Sequence, residues 1–189
     1  MRCAAVRSHG FVRFEELAGH VRALPYGRIT ADADFLEVLT QGRGTCSSKH
    51  RLLAAVAHDC GHREVRLTVG IYLMSDANTP GVAAALQTAG LAEIPEAHCY
   101  LSLGAARADF TGLPSGPQSP FDALVAEYDV APADLASRKP SLHRAFMTAW
   151  AQARGIDPRR VWAAREACIA ALAAKPAMQC APEHGPSPP

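Results

Sequence analysis

A chain of 189 residues, 49% hydrophobic and 20% charged, is long enough to bury a sizeable core and reads as a single domain over 1–175, followed by a disordered, proline-rich tail over 176–189. A net charge of +1 gives no pull toward nucleic acid or an anionic membrane surface, and no apolar run nears the roughly 20 residues that cross a bilayer, so neither partner is expected. The opening Met1-Arg2-Cys3-Ala4-Ala5-Val6-Arg7 lacks the apolar stretch of a secretory signal, which makes a cytoplasmic, reducing compartment the default expectation.

Phe11, Phe14, Leu17, Val21 and Leu24 fall at steps of three and four and predict an amphipathic helix over 11–24, stopped by Pro25. A short helix is expected over 34–40. Gly42-Arg43-Gly44-Thr45-Cys46-Ser47-Ser48-Lys49-His50-Arg51-Leu52-Leu53 then combines a glycine turn, a capping threonine and an apolar period. It predicts a helix that starts at Cys46, ends near Cys60 and is capped by Gly61. Cys46 thereby stands where the helix dipole and unpaired N–H groups favour a thiolate. Lys49 and Arg51 read as a solvated face, with His50 facing solvent or acidic partners.

Residues 64–74 predict a strand, half-buried at first and more buried later, and 82–89 a short helix. Two strands follow around Gly104, over 98–103 and 107–111. If His98 lies opposite Asp109, then His98, Tyr100, Arg107 and Asp109 share one face, and a carboxylate stands beside an imidazole. Residues 113–120 form a loop. Helices are expected over 121–128, over 141–154, and from the Asp157-Pro158 start onward. Trp150, Trp162, Phe11, Phe14 and Phe35 are expected in the core, and Arg107 in a surface ion pair.

The six cysteines are irregularly spaced, form no Cys-x-x-Cys pair, and are expected to stay mostly reduced. A thiol at a helix start with a His–Asp pair supplies the parts of nucleophilic acyl chemistry: a nucleophile, a base and an orienting group. The Cys46 N–H is a ready oxyanion donor and Gln41 a candidate second one. A competing arrangement draws zinc ligands from Cys46, His50, His58, Cys60, His62, His98 and Cys99.

The segments Gly44-Thr45-Cys46-Ser47-Ser48-Lys49-His50, Glu96-Ala97-His98-Cys99-Tyr100 and Arg107-Ala108-Asp109-Phe110-Thr111 resemble the transglutaminase-like superfamily of papain-like thiol enzymes. The resemblance spans residues 41–111. It implies an α+β fold with a papain-like core: a nucleophile-bearing helix on a small antiparallel sheet, here with extra flanking helices. It further implies Cys46 as nucleophile, His98 as general base and acid, Asp109 as orienter, and Tyr100 among the oxyanion and substrate candidates. The implied function is a cysteine hydrolase or acyltransferase acting on a peptide, protein or small-molecule amide or acyl bond, with no metal or organic cofactor. The alternatives are a non-catalytic scaffold that binds a peptide or partner and, third, a zinc-binding domain. Many members carry tryptophan after the histidine, where this chain has Cys99 and Tyr100.

Overall fold

The computed structural model describes residues 2–30 and 34–174, with side chains from residue 4. The tail expected over 176–189 lies outside them. The architecture is α+β, with a four-stranded antiparallel sheet and, among the described residues, seven α-helices. Helix α1 is Arg2–Ser8, α2 Phe14–Ala23 and α3 Glu37–Thr40, so α1 was not anticipated and α2 and α3 are shorter than their apolar periods suggested. Helix α4, Cys46–Asp59, begins and ends as its signals require, with Gly61 at φ +98° just beyond the last turn.

Strand β1 is Arg66–Met74, α5 Ala83–Ala89, β2 Ile94–Leu103 and β3 Ala106–Ala108. A 3-10 turn, Pro120–Ala123, leads into β4, Leu124–Asp129. The helix expected over 121–128 is therefore a strand. Its residues fill the open side of β1, where backbone pairing outweighs local helix preference. Helix α6, Leu135–Gln152, starts six residues earlier than expected and runs through Pro140. Helix α7, Pro158–Ala173, is capped by the Asp157 side chain accepting from the Arg159 N–H.

The sheet order is β3-β2-β1-β4. Strand β1 is exposed at Arg66 and buried from Leu67 through Tyr72, where helices cover both faces of the sheet. On one face Leu67, Val69, Ile71, Ala97, Cys99 and Leu101 pack with α4, where Leu52 and Leu53 are fully buried. Each such leucine contributes about 1.5–3 kcal/mol. On the other face Tyr72, Met74 and Ile94 pack with Val82 and Leu86 of the α5 segment and Val161, Cys168, Ile169 and Leu172 of α7. Helix α6 contributes to both clusters, with Leu135 in one and Met147 and Trp150 in the other.

Helix α4 is the central helix, and its expected solvated face does not exist. Lys49 is fully buried, its ammonium donating to the Leu24 and Thr111 carbonyls at 2.6 and 2.7 Å. Arg51 is buried too, donating to the Pro132 carbonyl and lying over the Phe35 ring. Charged groups tolerate such burial when hydrogen-bonded. Phe35 is core, while Phe11 and Phe14 pack against it partly exposed. Trp150 is buried, and Trp162 is half-buried with Arg144 stacked on its ring.

The expectation was of mostly reduced cysteines: among the described residues Cys46, Cys99 and Cys168 are free thiols, and Cys60 is disulfide-bonded. Among the described residues no helix is long and apolar enough to cross a membrane.

Candidate active site

Cys46 occupies the first helical position of α4. Thr45 caps the helix: its side chain accepts from the Ser48 N–H, and its own N–H donates to Ser48 Oγ at 2.9 Å. With those donors spent, the Cys46 N–H has no acceptor among the described residues. The thiol is 6% exposed, at the junction of two cavities of about 280 and 340 Å³. Lys139 of α6 reaches in from the opposite side. Its ammonium stands 3.5 Å from Cys46 Sγ and donates to Ser47 Oγ at 2.7 Å. The Cys99 thiol donates to the same Ser47 hydroxyl at 3.7 Å.

These neighbours favour the thiolate over the thiol. The adjacent Cys99 thiol is the strongest influence, and with the Lys139 cation and His98 it outweighs the cost of burial and holds Cys46 well below the usual thiol range. Burial and the adjacent Cys46 sulfur push Cys99 the other way, so it stays a protonated donor. Burial would lower Lys139, but the two sulfurs and Glu96 keep it charged.

His98 and Asp109 meet, though not by the expected pairing. Strand β3 pairs Leu101 with Ala108, Ser102 with Arg107 and Leu103 with Ala106, a shift of two residues, with Gly104 at φ +58° in the turn. A two-residue shift preserves the faces, because side chains alternate with period two. It also leaves Asp109 beyond the end of β3, free to curl back. Asp109 Oδ2 accepts from His98 Nε2 at 2.8 Å. Asp109 Oδ1 accepts from both the N–H and the hydroxyl of Thr111. His98 Nδ1 is thereby left for the thiol. Burial disfavours the imidazolium, yet the charge and hydrogen bond of Asp109, then Cys46, raise His98 to about 10. Burial likewise opposes the Asp109 carboxylate, but His98 keeps it ionised well below its usual range.

His50 was expected to face solvent or an acidic partner, and it is fully buried beside Asp109. Its Nε2 accepts from the Phe110 N–H at 2.7 Å, so its Nδ1 carries the proton and donates to the Cys46 carbonyl at 2.8 Å. Burial outweighs Asp109 and lowers it to about 4, which makes it a neutral brace. The 3.5 Å approach of Asp109 Oδ1 to Nε2 is therefore no ion pair.

Two further candidates are placed elsewhere. Gln41 accepts from the Thr30 N–H and donates to Glu37, and it lines neither cavity. It is not a second oxyanion donor in this arrangement. Tyr100 donates to Glu127, packs on Phe121 and lies near His98, and it lines neither cavity. Arg107 is paired with Glu127 at the surface, as its position suggested. The zinc candidates are dispersed: His58 bonds the Val65 carbonyl, His62 meets Glu64 and Cys60 is disulfide-bonded. Among the described residues no three groups converge to hold a metal.

The first cavity is mainly apolar, with Met74, Leu113, Pro117, Phe121 and Ile169 in its wall, so the 113–120 loop does border the cleft. Its polar groups include Cys46, His98 and Glu96, whose carboxylate is held by Arg165 at 2.8 and 3.0 Å. The second cavity continues past Cys46 along Lys139, His143, Arg144 and Arg165.

Lys139 escaped the sequence reading, and His50 and Cys99 were read there only as zinc candidates, not as neighbours of a thiol site. His50 had a signal, four residues from Cys46 on the same helical face, and Cys99 adjoins His98. Lys139 had none, since it is 93 residues from Cys46 in the chain.

The chain matches no family model, no curated protein and no solved structure.

Proposed function

We propose that this chain is a transglutaminase-like cysteine hydrolase or acyltransferase, with a papain-like core formed by α4 against β1 and β2. The single observation that carries this reading is the geometry at Cys46: Lys139 Nζ lies 3.5 Å from its sulfur at a helix start, beside a His98 whose Nε2 is engaged by Asp109 at 2.8 Å. A scaffold would have no use for a thiolate opened onto a cavity. The Cys46 sulfur attacks the carbonyl carbon of an amide or related acyl group, forming a C–S bond as the C=O pair moves onto oxygen. Collapse expels the leaving group, which takes the proton from His98 Nδ1. Water or an amine then attacks the thioester, His98 removes its proton, and Cys46 is released as thiolate. The free thiols suit a reducing, cytoplasmic setting, and the Cys60 disulfide does not.

The reading is tested with p-nitrophenyl acetate, a non-specific activated ester. Intact-protein mass spectrometry should find one acetyl group per chain, mapped to Cys46 and slowed at least about a hundredfold by His98→Ala. Acetylation spread over surface lysines, or undiminished in the variant, would sink the proposal.

A further inference from the structure

Tyr26 stands where the two cavities meet, lining both of them beside Cys46. Its backbone is tied to the turn that precedes the nucleophile. The Gly44 N–H donates to the Pro25 carbonyl at 3.1 Å, the Gly27 N–H donates to the Gly44 carbonyl at 3.3 Å, and Tyr26 and Gly44 form an isolated parallel bridge. Lys49 pins the same segment through the Leu24 carbonyl. Gly44 is itself packed against the first turn of α4, where a Cβ would sit 2.9 Å from both Lys49 Cγ and Ser48 Oγ. The ring is thus held on a short segment doubly bonded to Gly44, two residues before the nucleophile.

The Tyr26 hydroxyl has no hydrogen-bond partner among the described residues, although the side chain is only partly exposed. The other cavity tyrosine shows the ordinary state: Tyr72 shares a hydrogen bond with Thr79 at 2.9 Å. A phenol in a half-buried wall normally finds an acceptor. Burial and the negative charges of Cys46 and Glu96 push the ionisation of Tyr26 well above its usual range, so it stays a donor wherever the thiolate exists.

We propose that Tyr26 is a catalytic residue, its hydroxyl donating to the oxygen of the acyl group under attack and acting with the Cys46 N–H as the oxyanion site. This rests on the thiol acyl chemistry proposed above. As the Cys46 sulfur bonds to the carbonyl carbon, the displaced pair on oxygen accepts the Tyr26 O–H hydrogen bond. No proton is transferred. When the pair returns, the leaving group departs with the His98 proton and Tyr26 is unchanged. The role assigned to Gln41 by its position in the sequence passes to a residue twenty positions before the nucleophile.

Tyr26→Phe removes one oxygen that has no partner, so the variant should melt with the wild type. Two probes of Cys46 then separate the roles. Acetylation by p-nitrophenyl acetate passes through an oxyanion, whereas alkylation by iodoacetamide is a displacement at saturated carbon and does not. We expect acetylation to slow at least about tenfold, toward the 10²–10³ typical of a removed donor, with alkylation and its pH profile changed less than about twofold. Equal slowing of both reactions would make Tyr26 a support for the thiolate and overturn the assignment. Normal acetylation of Tyr26→Phe would overturn it alone. A wild type that alkylates at Cys46 but never acetylates would remove the acyl reading, and Tyr26's role with it.

Discussion

Lys139→Met is the sharpest probe of the thiolate, because methionine keeps most of the apolar stem of the lysine and deletes its charge together with the hydrogen bond to Ser47. At 3.5 Å from Cys46 Sγ, a unit charge in an effective dielectric of about 20 is worth about 5 kcal/mol, or about three pKa units. Rearrangement and water entry reduce this, so a rise of about one to three units in the Cys46 pKa is expected. The sign follows from the charge: the cation favours the ionised thiol, so its loss moves the thiolate inflection to higher pH. Iodoacetamide labelling, followed peptide by peptide from pH 4 to 9, reads the shift directly, with Cys168, pushed up to about 11 by burial, as the internal control. At pH 6 the variant should label at least about tenfold more slowly than the wild type, and the two should converge at alkaline pH. Lys139→Arg should restore most of the loss. An unchanged profile in a Lys139→Met protein that still folds would refute the argument, leaving Cys99 and His98 as the groups that ionise Cys46.

Two further outcomes follow from buried groups. His50 is lowered to about 4, so between its ordinary value near 6.5 and 4 the unfolded chain binds a proton that the folded chain refuses. Stability should fall by about 3 kcal/mol across that window, apart from any loss below it as Asp109 protonates. Urea unfolding at pH 7, 5.5 and 4 should show a decrement in the wild type that is smaller in His50→Gln, the remainder coming from His143, which burial also lowers, and equal slopes would count against it. Gly70, opposite His98, leaves room for the Tyr100 ring: an added Cβ would lie 2.8 Å from Tyr100 Cε1 and 2.6 Å from Leu124 Cδ2. Gly70→Ala should cost about 1–3 kcal/mol and lower the melting temperature by several degrees, and a melting curve that does not move would show that β4 yields freely.

What the sequence determined by itself was local. The Thr45 cap, the α4 start at Cys46, the Asp157-Pro158 start of α7 and the Gly104 turn each rest on a few adjacent residues whose backbone chemistry has one good solution. The pairing of His98 with Asp109 was legible because period-two alternation survives an error of two in register. Burial was not legible, since it depends on which elements meet. Lys49 and Arg51 look like a solvated face until α4 is surrounded, and 121–128 look helical until β1 offers an edge. Gln41 is near the nucleophile in the chain and turned away from it in space. Lys139 and Tyr26 are far along the chain and adjacent in space, brought there by the packing of α6 and by the Pro25–Gly27 backbone bonds to Gly44. The charge and donor that complete the site come from distant segments, and only tertiary packing can bring such segments together.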